Sequence, residues 1–183
     1  MKHLSINNAR YIGLIILCLL PINYLFAQTC NIDNVFETAP ESRFDAKPFT
    51  VKDRISGLVW KRCSEGVEND MGVCDSVSKP PKFTWKLALQ RPDLANLAEH
   101  GGYTDWRLPN INELMTLIER ACASPTINET VFPNTATGYY WSSTVQQSGS
   151  GSHVWSVNFL FGYSSVYGQS SGTGAVRLVR GLQ

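Results

Sequence analysis

The sequence is poor in histidine and has no long basic run, and both shortages narrow what it can do. Three of its 183 residues are histidine, and only His100 and His153 lie beyond position 27. A histidine-rich metal centre is therefore excluded. No C-x-x-C pair is present, which removes the usual frame of a structural zinc site. The acids Glu65, Glu68, Asp70 and Asp75 fall close together but lack the D-x-D-x-D-G register of a calcium loop. They read as a solvated loop; calcium is unsupported by motif, and no metal or cofactor is expected. Sixteen Lys and Arg face fifteen Asp and Glu, so no nucleic-acid partner is expected, because that mode of binding draws on many phosphate contacts. Collagen-like repeats, heptad arrays and internal duplications are missing as well. The string "GQSSG" (168–172) matches the G-x-S-x-G nucleophile elbow, but no Asp, Glu or His follows Ser170. It reads as a hairpin loop, and the absence of a catalytic constellation argues against an enzyme.

What is present begins with an export signal. Lys2 and Arg10 precede the apolar run "YIGLIILCLL" (11–20), and Ala27 offers a cleavage point. The run is too short for a spanning helix. Residues 1–27 are thus expected to be a signal peptide, with no transmembrane anchor left after its removal. Without them 14 basic side chains face 15 acidic ones. The remaining chain divides into an N-terminal arm, 28–50, and one domain, 51–183, long enough to bury a core. The location expected is secreted, periplasmic or on the cell surface of a bacterium.

Four cysteines remain beyond the signal: Cys30, Cys63, Cys74 and Cys122. An even number in an exported chain reads as disulfides, with three connectivities open. The polar loop "CSEGVENDMGVC" favours Cys63–Cys74, which leaves Cys30–Cys122.

Local patterns give the elements. "ISGLVWKRC" (55–63) reads as a turn and a short strand with Leu58 and Trp60 on one face. Thr84 is positioned to cap a helix carrying Trp85, Ala88 and Leu89 on one stripe, with Pro92 interrupting it and Gly101-Gly102 stopping its continuation. A second helix starts at Asn110, with Glu113 completing a capping box and a buried stripe from Ile111 to Ile118. His100 sits before Gly101, in a helix C-cap region. Arg107 needs a carboxylate if Trp106 and Tyr103 pack inward, and Asp105 and Glu113 are the nearest. Beyond Cys122 the chain turns to Gly, Ser, Thr and aromatics, and "GYYWSSTV" and "HVWSVNFLF" read as strands. In the latter His153, Trp155, Val157, Phe159 and Phe161 share a face. Helices before an antiparallel sheet indicate an α+β fold. Trp60, Trp85, Tyr103, Trp106, Arg107, Glu113, Trp141, Trp155 and Arg177 are the expected structural residues. Tyr163 and Tyr167 flank a Ser/Gly-rich turn. With Asn158 and Gln169 they form the candidate ligand-binding set, as exposed aromatics beside polar side chains make rigid binding faces.

The runs "ISGLVWKRC", "FTWKLAL", "GGYTDWRLPNINEL", "VFPNT", "YYWSST", "HVWSVNF" and "AVRLVR" resemble, in order, the Lcl C-terminal domain family, named for a collagen-like adhesin of Legionella. The resemblance covers about residues 50–181. "RLPNINEL" and "VRLVR" are more distantly similar to formylglycine-generating-enzyme and C-type-lectin-like folds. Together these imply a single compact domain with two main helices packed on a twisted, mostly antiparallel sheet, and long loops. Cysteines are absent after Cys122, unlike the oxidase members, and the lectin calcium motifs E-P-N and W-N-D are missing. The adhesin's glycosaminoglycan binding belongs to a protein with a collagen stalk, which this chain lacks; a trimer is an expectation from resemblance alone. The function expected is a non-catalytic binding or adhesion domain for a glycan or other host or cell-surface ligand. The alternatives are an envelope assembly module that binds protein, or a degenerate formylglycine-generating-like enzyme.

Overall fold

A computed structural model describes residues 28–75, 79–148, 151–168 and 172–181. Residues 1–27, expected to be a signal peptide, and Gln169 lie outside them. Two strands, β1 (Thr29–Cys30) and β2 (Phe44–Ala46), come from the segment expected to be an arm. β2 pairs antiparallel with β3 (Thr50–Asp53), β3 with β4 (Val59–Lys61), and β4 with β9 (Val179–Arg180) near the end of the chain. The arm is therefore built into the sheet: Ala39 and Phe44 are core residues, and a boundary at 50 would cut β3.

The turn between β3 and β4 has a local cause. Gly57, at φ 73°, donates its N–H to Asp53 O at 2.9 Å, and alternation then buries Leu58 and Trp60. The first helix, α1 (Trp85–Ala88), starts where Thr84 accepts a hydrogen bond from Leu87 N. Pro92 then lies in the first turn of α2 (Arg91–Leu97), where its missing N–H is no loss. It opens a helix instead of interrupting one. That helix ends before the glycine pair, with Glu99 already left-handed at φ 46°. In α3 (Ile111–Met115) both halves of the Asn110/Glu113 capping box form.

Among the described residues, three short α-helices stand where two main ones were expected. Of the expected stripe, Leu114 is buried within α3, Ile111 and Met115 are only partly buried, and Leu117 and Ile118 are buried beyond the helix end. Leu89, placed on the inner stripe of α1, is 41% exposed.

β5 (Cys122–Ala123) pairs with β1, and the disulfide Cys30–Cys122 joins them. The second disulfide is Cys63–Cys74. β6 (Tyr139–Ser148), β7 (Gly151–Asn158) and β8 (Tyr163–Gly168) form an antiparallel meander, with an irregularity between Trp141 and Val145. Sheets and short helices make the domain α+β, with the strands among the described residues in three sheets.

β7 is the middle strand, and it does not show the single buried face expected of it. Val157 and Phe159 enter one core cluster with Trp60 and Phe132, while Val154 enters another with Trp106 and Trp141. Trp155, expected in the core, is only half-buried. After Asn158 the strand ends in a turn, which breaks the alternation and leaves Phe161 66% exposed.

Candidate functional site

The corner around residue 107 has no spare chemistry. Arg107 donates to both carboxylate oxygens of Glu113, at 2.8 and 2.6 Å, and to Gly181 O at 3.3 Å. Glu113 in turn accepts from Asn110 N at 2.8 Å. Burial raises the Glu113 carboxyl, but Arg107 and the Asn110 N–H outweigh it and hold it below its ordinary range. Asp105, the other partner considered for Arg107, pairs with Arg180 at 2.6 Å, and Arg180 lies over the Tyr103 ring. A cavity of about 560 Å³ lies here, lined by Leu89, Pro92, Leu108 and the Arg107–Glu113 pair. Its charged groups are committed to each other.

The other structural residues are likewise held. Trp106 is buried, and its backbone N–H and C=O both bond the Asn96 side chain. Trp85 Nε1 donates to Ser142 O at 3.1 Å and Trp141 Nε1 to Phe83 O at 2.7 Å. Arg177 is completely buried, donates to Lys61 O, Arg62 O, Ser64 Oγ and Thr135 Oγ1, and stacks on Phe132.

The candidate ligand set is divided by the fold. Tyr163 is 42% exposed at the start of β8, and Tyr167 lies farther along the same strand. Asn158 is buried at 6% exposure, where its Oδ1 accepts from Leu160 N at 2.8 Å and closes the β7–β8 turn. It also hydrogen-bonds the hydroxyls of Tyr139 and Tyr163. Asn158 is scaffold beneath the surface, because it ends a two-sided strand.

Phe161, placed by alternation on one face with Val157 and Phe159, takes its place. The Phe161 ring lies parallel to Tyr163, with centroids 6.1 Å apart and planes at 11°. The Tyr139 and Tyr163 hydroxyls approach to 3.4 Å. Either can donate, and the contact shifts the Tyr139 hydroxyl down and the Tyr163 hydroxyl up. The turn carrying Phe161 and Tyr163 is fastened to the body. Thr126 donates to Phe159 O through both its N–H, at 2.6 Å, and its hydroxyl, at 2.9 Å. Gly162, at φ 70°, is buried, and a Cβ there would lie only 3.3 Å from Ile118 and Thr126. The result is a fixed aromatic platform. Tyr163 was legible in the sequence as an aromatic beside a Ser/Gly-rich turn; its pairing with Phe161 was not.

A second polar site escaped sequence reasoning. Glu65 and Glu68, expected in a solvated loop, have side chains only 2% and 7% exposed. They meet Lys61, Arg91 and His100 around a cavity of about 320 Å³. His100 faces this cavity and is no helix cap: α2 ends three residues earlier. Among the described residues no three His, Cys, Asp or Glu side chains group as a metal set, and no helix is long and apolar enough to cross a membrane.

No curated protein matches the chain. A family model described as the Lcl C-terminal domain matches residues 49–180.

Proposed function

The chain belongs to the Lcl C-terminal domain family, and from that premise we propose that it is an exported, non-catalytic adhesion module. It takes a glycan or similar cell-surface ligand on the Phe161–Tyr163 platform. The observation that carries this is the parallel, exposed aromatic pair on a turn that Thr126, Asn158 and Gly162 hold rigid. The apolar face of a sugar ring stacks on such a surface at little entropic cost, and the Tyr139 and Tyr163 hydroxyls supply directional hydrogen bonds at its edge. Two disulfides suit an oxidising compartment.

Glycan-array retention of the wild type and of a Phe161→Ala/Tyr163→Ala variant tests the assignment. Retention should fall about tenfold or more. The melting temperature should stay nearly unchanged, because exposed side chains contribute little to stability. Equal retention by both proteins would remove the platform from the function.

Exposed Leu87, Leu94 and Leu97 on α1 and α2 favour a second reading, an assembly module that contacts an envelope protein. Loss of a co-purifying envelope protein on Leu94→Lys/Leu97→Lys, with no glycan retained by the wild type, would favour it.

A further inference from the structure

The buried charges around Glu68 form a network with one place unfilled. Glu65 uses both carboxylate oxygens, Oε1 accepting from Lys61 Nζ at 2.7 Å and Oε2 from Arg91 Nε at 3.0 Å. Glu68 uses one. Its Oε2 lies 3.3 Å from Lys61 Nζ and 3.3 Å from His100 Nε2. Its Oε1 is buried and has no hydrogen-bond partner, and neither has His100 Nε2. Burial and the nearby Lys61 ammonium disfavour the charged form of the His100 ring, whose Nε2 faces Glu68 Oε2.

The open carboxylate oxygen of Glu68 thus asks for a donor. A buried acceptor left unpaired costs its full desolvation penalty, more for a charged group. The charges agree with this. With His100 neutral, the lining acids Glu65, Glu68 and Asp70 exceed the cations Lys61 and Arg91 by one. An anion would find Lys61 and Arg91 already engaged by Glu65.

The site is also built, not incidental. A backbone bridge from Glu68 to Cys74, inside the loop closed by the Cys63–Cys74 disulfide, fixes where Glu68 points. The Phe49 ring stands edge-on to His100 and gives the cavity an apolar wall. We propose that this cavity binds a primary ammonium group, with the open carboxylate oxygen of Glu68 as its acceptor. Glu68 would then bridge Lys61 and the ligand as Glu65 bridges Lys61 and Arg91. Burial raises the Glu68 carboxyl and lowers the His100 imidazole, each in the direction of a group awaiting a partner. The site uses none of the platform residues.

The test titrates the full, disulfide-bonded protein at neutral pH with propylammonium chloride, and with tetramethylammonium chloride at equal ionic strength. Binding is read by saturation-transfer NMR on the probe and by the His100 ¹⁵N shift. Propylammonium should give a saturable response in both, and tetramethylammonium, which has no N–H, should give neither. Glu68→Gln should weaken propylammonium binding about tenfold or more, while Phe161→Ala/Tyr163→Ala leaves it unchanged. No saturable response to propylammonium overturns the proposal, as does an equal response to tetramethylammonium or undiminished binding by folded Glu68→Gln. Should Glu68→Gln fail to fold, the wild-type comparison of the two cations decides alone.

Discussion

Asp53 has no exposed side-chain surface, and Arg43, which answers it, is 9% exposed. Arg43 Nε donates to Oδ1 at 2.8 Å, Ile55 N to the same oxygen at 3.0 Å, and Ser56 Oγ to Oδ2 at 2.6 Å. Burial by itself raises the Asp53 carboxyl, but these donors outweigh it and hold it below its ordinary range. A depressed carboxylate stabilises the fold above its unfolded pKa of about 3.9, and the contribution is lost as pH falls below that toward the folded value. Arg43→Met leaves the acid buried and unpaired, so urea unfolding at neutral pH should show a loss of about 3–5 kcal/mol. The gap between variant and wild type should narrow as pH drops and Asp53 protonates in the variant. A constant gap would mean that packing of the arginine stem, not its charge, is what matters. The Arg180–Asp105 pair, with Asp105 55% exposed, should matter far less, because water screens it.

At the scale of elements, the helices are too short to stand alone: α1 has four residues, α2 seven and α3 five. Their caps and the sheets they rest on hold them. The β7–β8 turn is the element on which the proposed function rests, and Gly162 is its critical position. Gly162→Ala puts a Cβ at φ 70° and 3.3 Å from Ile118 and Thr126, which should cost about 1–2 kcal/mol in denaturant unfolding. Glycan retention should fall with it, since the same turn presents Phe161 and Tyr163. Full retention alongside the stability loss would separate the turn from binding. Local elements such as the Asn110 capping box and the Gly57 turn were legible because their donors and acceptors lie within a few residues of each other. The faces of β7 were not, since alternation tells which residues lie together but not whether one side or both will be covered.

At the scale of the molecule, the two disulfides close loops of very different length. Their sequence separations are 92 for Cys30–Cys122 and 11 for Cys63–Cys74. On the chain-entropy account they contribute about 4–5 and about 3 kcal/mol. Replacing both cysteines of the long loop by serine should therefore destabilise by about 2 kcal/mol more than the same change in the short one. Equal losses would show that the Cys63–Cys74 bridge contributes through its folded contacts, including the placement of Glu68.

Composition, cap motifs and cysteine spacing determined that this is an α+β domain with a favoured pairing of cysteines, and the ordered motifs of 50–181 carried its family. Those properties depend on residue type and on neighbours a few positions away. Tertiary structure decided which polar groups lose their water. Glu65 meets Arg91 across 26 residues and Arg177 meets Lys61 across 116. Tertiary structure also put Asn158 under the surface and Phe161 on it. Burial is a property of what the rest of the chain brings alongside, and no local pattern encodes that.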